Sequence, residues 1–216
     1  MSDSIAMAAR AAEWAGTPLL DAQLEALGEY ADWLVTEAIP AGGLGPREGG
    51  RLWGRHVGDS LTFAAGWGDQ PPQELLDVGS GVGLPGIPLA ILWPDTLVTV
   101  LDRGGRRTRL LHRAVRILAL PNVVVAQADV FAVADEWEAL TFRGAVKPQE
   151  AVALSARLLV PGGTAVLGLS RRPEPPDRTR DLIGIAGTLG LETSVRRVPA
   201  EILDGPAWLL IMTLGA

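Results

Sequence analysis

Three aspartates and three glycines carry the chemistry within reach of this sequence. In LLDVGSGVGLPGIPLA the apolar run Leu75 to Val78 leads into Gly79, Gly81 and Gly83, with Asp77 ahead of the first glycine. Missing side chains there let backbone N–H groups approach a ligand at the start of the following helix. Asp102 closes the next apolar run, LVTVLD, nineteen residues after Gly83. A carboxylate at that spacing can accept both hydroxyls of a ribose. Asp129 closes a third run, VVVAQAD, where it either accepts a hydrogen bond from an adenine amino group or caps VFAVADEWEAL as a helix.

Gly81-Val-Gly83-Leu-Pro-Gly86 also matches the dinucleotide fingerprint letter for letter, so a nicotinamide nucleotide competes as ligand. Asp77 separates the two, because a carboxylate repels a pyrophosphate and attracts a cation. S-adenosylmethionine carries an ammonium and a sulfonium and no phosphate. The order Asp77, Gly79, Gly81, Gly83 therefore reads as a loop for this cofactor, against a nucleotide loop or a turn that binds nothing.

These residues need a scaffold of strands and helices. From about Gln73 the pattern gives strands near 74–79, 97–101, 122–126, 141–146, 163–169, 193–198 and 207–214, with helices near 84–93, 105–119, 148–159 and 178–190. Such alternation implies βαβ crossovers and a mainly parallel sheet. The last two strands, with no helical pattern between them, are expected to pair antiparallel at one edge. Ahead of the sheet, Leu20, Leu24, Leu27, Ala31 and Leu34 fall on one helical face. Thr17 and Pro18 read as the N-cap and first position of that helix. Pro40 and the run AGGLGPREGG end it, and RLWGRHVGDSL begins another. The expected division is a helical extension with a glycine-rich loop over 1–70 and a cofactor-binding domain over 71–216.

Composition narrows the function. The chain has 216 residues, 48% of them hydrophobic and 20% charged, which excludes general disorder. With no cysteine it has no disulfide, thiolate metal site or cysteine nucleophile. His56 and His112 stand too far apart to build a metal site between them, so no metal is expected. MSDSIAMAAR lacks the charged and apolar regions of a signal peptide, and no run approaches the ~20 apolar residues of a membrane span. A cytoplasmic protein without a membrane partner is expected.

A net charge of −6 argues against a surface coated in positive charge. One stripe stands out against it. Arg106, Arg109, Arg113 and Arg116 share a helical face opposite Leu111, Val115 and Leu118, either to neutralise phosphates or as a solvated face paired with surface acids. Arg171, Arg172, Arg178 and Arg180 extend that charge or keep a proline-rich loop soluble. Of the seven tryptophans, Trp33, Trp93 and Trp208 read as core or edge packing, and Trp53, beside the glycine-rich run and His56, as the exception.

With the loop written DVGSGVGLPGIPLA, the chain resembles the RsmG (GidB) family of 16S ribosomal RNA guanine-N7 methyltransferases. RHVGDSL at 55–61, LDRGGRRTRLL, QAD at 127–129 and FRGAV at 142–146 are similar to that family's motifs in the same order. The resemblance implies a class I (Rossmann-like) methyltransferase fold, an α/β seven-stranded mostly parallel sheet with an N-terminal helical extension. It implies S-adenosylmethionine as cofactor, 16S rRNA or the 30S particle as partner, and a monomer. It puts Gly79, Leu84, Ala128, Asp129 and Arg143 at the cofactor or the reacting site. Phe142 replaces the serine of the family's Ser-Arg-Ala element, Gly144 is extra, and Gly168-Leu169-Ser170 stands where a Lys-Gly is usual. A small-molecule methyltransferase and an inactive paralogue are the alternatives these departures leave.

The implied reaction suits the residues available. Guanine N7 has an in-plane lone pair free of a proton at neutral pH, so no general base is needed, and no Ser-His-Asp constellation is seen. Alignment would supply the rate. Arg143 is the expected catalytic residue, orienting guanine through O6 and N7, against an alternative in which it pairs with Asp77 or Glu150. His56, Asp59 and Ser60 share a helical turn and either touch RNA or close over the cofactor, or are a polar N-terminal cap with a satisfied interface histidine.

Overall fold

In the computed structural model, which describes residues 3–215, the described chain up to residue 66 is helices joined by turns and loops, and the remainder alternates strands with helices. Helix α1 (Asp3–Trp14) is followed by α2 (Asp21–Trp33), which continues into a π-helical turn, Leu34–Ala38. Leu27, Tyr30, Ala31 and Leu34 are buried on its inner face, whereas Leu20 is 69% exposed. The helix starts later than its sequence suggests: Leu20 is the N-cap, and its N–H is satisfied by Gln23 Oε1 at 2.8 Å. Thr17 is not a cap. Its hydroxyl donates to the Gly68 carbonyl at 2.6 Å and ties the chain to the end of the helical region. RLWGRHVGDSL is helical but irregular, a π-helical turn (Trp53–Val57) followed by α3 (Gly58–Leu61) and a 3-10 turn (Thr62–Gly66).

The seven strands are β1 (Glu74–Val78), β2 (Leu97–Leu101), β3 (Val123–Ala126), β4 (Trp137–Phe142), β5 (Leu159–Ser170), β6 (Leu191–Val198) and β7 (Ala207–Leu214). They lie in the order β3-β2-β1-β4-β5-β7-β6. The first five pair in parallel; β7 runs antiparallel between β5 and β6. Helices α4 (Gly86–Leu92), α5 (Gly105–Ile117), α6 (Pro148–Leu158) and α7 (Thr179–Thr188) connect them. This is the seven-stranded, mostly parallel α/β architecture that the resemblance implies. The order turns back on itself between β1 and β4, where open α/β sheets bind ligands at the carboxyl ends of their strands.

Two elements differ from the sequence pattern. Strand β4 ends at Phe142, four residues short of the expected limit, because Arg143 and a left-handed Gly144 (φ 71°) turn the chain out of the sheet. The stretch after Asp129 is a single 3-10 turn, Val130–Ala132. Arg157 of α6 donates to the Val130 and Val133 carbonyls, which takes acceptors that a continuing helix would use.

Strand alternation splits the core. Leu75, Val98, Val100, Ala139 and Val166 face one way, into a core shared with α1, α2, α3 and α4; Leu76, Val78, Leu140, Phe142 and Leu167 face the other way, toward α6 and α7. The N-terminal helices are thus packed into the same core as one face of the sheet. Among the described residues no helix is long and apolar enough to cross a membrane.

Candidate functional site

The glycine loop leaves β1 under tight local constraint. Strand parity puts Asp77 on the Leu75 face, level with Thr141 of β4 and under α4. Its Oδ1 accepts from Thr141 Oγ1 at 2.9 Å, and its Oδ2 accepts from Gly86 N at 2.9 Å and from the Ser80 hydroxyl. Asp77 is fully buried. Burial pushes its carboxyl above the ordinary carboxylate range, against the pull of those three bonds and of the Arg143 charge. Both oxygens accept hydrogen bonds inside the protein and Asp77 does not line the cavity described next, so what the residue does here is shape the loop.

The glycines are needed for different reasons. Gly79 (φ 66°) runs so close to the 143–146 turn that a Cβ would stand 2.3 Å from Ala145 Cβ. A Cβ on Gly83 (φ 106°) would run into Ile87, and Gly83 does not face the cavity described next. Gly81 faces open space and donates its N–H to Asp102 Oδ2 at 3.1 Å. Asp102 Oδ1 accepts from Gly104 N at 2.8 Å, so the carboxylate at the end of β2 is fixed against the loop at the end of β1.

Above these strand ends lies a cavity of about 520 Å³, within the ~300–1,000 Å³ typical of small-molecule sites. It brings together Gly79, Gly81, Leu84, Asp102, Ala128, Asp129 and Arg143, all anticipated from sequence. Asp129 Oδ1 caps Phe131 N at 3.0 Å. Sequence reasoning missed Gly43 and Leu44, which close the cavity from the glycine-rich run, and Glu150, Arg107 and Phe131. The glycine density of 41–50 was the available signal. A Cβ on Gly43 would lie 2.4 Å from Val82 Cγ1, so only glycine lets this run press onto the cofactor loop. Tyr30 supports the contact from below by donating to the Val82 carbonyl at 3.0 Å.

Arg143 stands at the cavity wall in a net of fixed bonds. Its Nε donates to Asp59 Oδ2 at 3.0 Å and its Nη2 to the Arg55 carbonyl at 2.8 Å. Neither Asp77 nor Glu150 pairs with it. His56 Nδ1 lies 3.3 Å from Arg143 Nη2, and His56 Nε2 lies 2.9 Å from Glu48 Oε2. A guanidinium only donates, so Nδ1 accepts and Nε2 carries the proton that goes to Glu48. Burial holds the His56 ring below its ordinary pKa, which suits this neutral tautomer. The bond from His56 in turn lowers Glu48. His56 and Asp59 are only 6% and 7% exposed; they hold Arg143 and line a second cavity beside it. Ser60, on the same turn, is buried apart from the cavity.

The arginine stripe of α5 is exposed as expected, but it is not uniformly free. Arg113 pairs with Glu37 at 2.7 Å, and Arg106 donates to the Ala41 carbonyl, so these two brace the N-terminal segment. Arg109 and Arg116 make no ion pair among the described residues. Trp53 is packed against the core, whereas Trp208 lines a second cavity beside Arg143, reversing the roles expected for them.

The chain has relatives in sequence and in fold. A family model described as GidB, rRNA small subunit methyltransferase G, matches residues 23–174. A ribosomal RNA small subunit methyltransferase G from Mycobacterium marinum is 34% identical over 207 residues, covering 93% of this chain and 89% of that protein. One of the same name from Cellvibrio japonicus is 37% identical over 163 residues, 73% and 71% of the two chains. Among solved structures, M. jannaschii TYW2 in complex with AdoMet is similar with a TM-score of 0.56 at 16% identity, covering 75% of this chain and 76% of that one. Precorrin-6y C5,15-methyltransferase from Geobacter metallireducens also has a TM-score of 0.56, at 14% identity, covering 73% and 87%. At those identities the structures speak for the fold.

Proposed function

This chain belongs to the rRNA small subunit methyltransferase G family, and from that premise we propose that it transfers a methyl group from S-adenosylmethionine to N7 of a guanine in 16S rRNA. The observation that carries the reading is the cavity at the ends of β1, β2 and β4, where a bare glycine loop, Asp102 and Arg143 meet.

The residues present fit the cofactor. Gly81 leaves room for a ligand to lie on the loop backbone, and Asp102, fixed by Gly81 N and Gly104 N, retains acceptor capacity for ribose hydroxyls. Asp129 has one oxygen engaged in its cap and the other available to an adenine amino group. The lining sets three carboxylates, Asp102, Asp129 and Glu150, against three guanidiniums, Arg103, Arg107 and Arg143, so the choice of this cofactor over a pyrophosphate rests on the family and not on the charge of the lining. When bound, the cofactor supplies a methyl on a sulfonium: the N7 lone pair forms the new N–C bond while the C–S pair returns to sulfur, moving the positive charge onto the guanine ring.

That displacement removes no proton, so the protein's task is alignment, worth up to roughly 7–11 kcal/mol of barrier. Arg143, its guanidinium plane set by Asp59 and the Arg55 carbonyl, orients the base as a donor to O6. A guanidinium brought up to N7 itself would oppose the charge that develops there, so positioning is its role. The exposed Arg109 and Arg116 contribute phosphate contacts. Ribosomal substrate implies the cytoplasm as the place of action.

The test is transfer of radiolabelled methyl from S-adenosylmethionine to 30S particles lacking the modification, followed by mass analysis of nucleosides. Label in 7-methylguanosine, lost with Asp102→Ala, is the expected result. Label in another nucleoside, or none, contradicts it.

A further inference from the structure

The second cavity, about 240 Å³, shares Arg143 and Gly144 with the first, and the reading above uses its lining only to hold Arg143, leaving the space itself without a role. Its composition is divided. Phe63, Leu169 and Trp208 supply apolar wall, and Asp59, Arg143 and Arg171 supply charge. Its volume lies below the ~300–1,000 Å³ of drug-sized ligands, which suits one planar ring system.

The walls are built to leave this space and to hold still. A Cβ on Gly168 would stand 3.0 Å from Phe63 Cζ, so glycine there lets the ring lie against β5. The β5–β7 register shifts at the same point, Gly168 pairing with Leu209 and Ser170 with Trp208. Bulges of this kind re-aim side chains next to sites. The Trp208 indole N–H donates to the Arg172 carbonyl at 3.1 Å, and the Arg197 guanidinium lies 6.0 Å from its ring centroid.

The charged end is equally constrained. Asp59 has a guanidinium on each oxygen, Arg143 Nε at 3.0 Å and Arg171 Nη1 at 3.7 Å. Arg171 is itself anchored by the Gly54 carbonyl at 2.8 Å and by Asp204. Ser170 Oγ, also in the lining, is buried with no partner among the described residues. An unsatisfied hydroxyl beside fixed donors and a fixed acceptor suits a ligand whose rim offers both donors and acceptors.

We propose that this second cavity receives the acceptor purine, turned out of its RNA strand, with Trp208 as apolar wall and the Asp59–Arg171 pair facing its polar rim. The proposal rests on the methyltransferase reading and adds to it the place of the base. From this cavity the base meets the cofactor's methyl only past Arg143 and Gly144, the boundary the two cavities share. Enzymes that modify a base inside folded RNA need such a receptacle, because the reacting edge must leave the stack.

The test is the kinetics of methyl transfer to 30S particles by Trp208→Ala and Trp208→Phe, with cofactor affinity measured by calorimetry on each. Trp208→Ala is expected to lower kcat/KM by about ten- to a hundredfold, the range set by removing one aromatic ring from beneath a base. Trp208→Phe recovers most of that loss, and the cofactor Kd of both variants stays at the wild-type value. Unchanged kcat/KM in Trp208→Ala, no recovery in Trp208→Phe, or a parallel loss of cofactor binding each overturns the proposal. Failure of the wild-type protein to methylate at all removes the parent reading instead, and the proposal with it.

Discussion

His56 shows how much of this site is settled by partners that lie far away in sequence. Folding buries its ring and sets Arg143 against one nitrogen. Burial above all, helped by the Arg143 charge, outweighs the opposing pull of Glu48 on the other nitrogen, so the folded protein favours the neutral form and holds the pKa below 6.5. An unfolded histidine takes its proton at the ordinary value. Just below it the unfolded chain therefore binds more protons, and stability rises with pH. This contribution is complete above pH 6.5 and is lost as acid approaches the folded value; Glu48, lowered from 4.5, loses its own contribution further down in the same direction. Thermal melts from about pH 5 to about pH 7 should show the melting temperature falling with acid, and His56→Gln should flatten the curve. A variant as steep as wild type would remove His56 from the account. Sequence made this turn visible through the spacing of His56 and Asp59, but not its purpose, since Arg143 lies 84 residues from Asp59.

Among the elements, the glycine loop is the part whose conformation leaves least room. Gly79→Ala combines a left-handed backbone with a 2.3 Å approach to Ala145 Cβ, and should destabilise the protein by at least about 1–3 kcal/mol while abolishing cofactor binding. Gly144→Ala, equally left-handed at φ 71° but with nothing within 4 Å, should cost only about 1–2 kcal/mol; denaturant melts compare them, and equal losses would mean that the approach to Ala145 is irrelevant. On α5 the free cations are Arg109 and Arg116, so exchanging both for glutamate should weaken binding to 30S particles. It should also reduce the slope of log affinity against log salt by roughly 0.7–0.9 for each phosphate no longer neutralised. An unchanged slope would take α5 out of the RNA interface. The stripe itself was legible from its three-and-four spacing. Which arginines it spares was not, because Glu37 and the Ala41 carbonyl reach α5 only through the tertiary fold.

Across the whole molecule, the strand order places the β1–β4 reversal under the carboxylates of β2 and β3 and beside the turn that carries Arg143. The sheet and its antiparallel edge followed from alternating apolar runs. Strand parity, which sends Asp77 beneath α4 and away from the lining of the first cavity, needed only the Leu75 face to be identified as the buried one and could have been read from the sequence. The second cavity could not, since it joins the N-terminal helical segment to strands more than a hundred residues later. The proposed function requires the first cavity to hold a positively charged adenosine derivative. Titration calorimetry of the folded protein with S-adenosylmethionine measures this directly. One saturable site is expected, with affinity reduced about ten- to a hundredfold in Asp102→Ala, the effect of losing hydrogen bonds to a charged group. No heat from well-folded wild-type protein, or binding indifferent to Asp102, would contradict it.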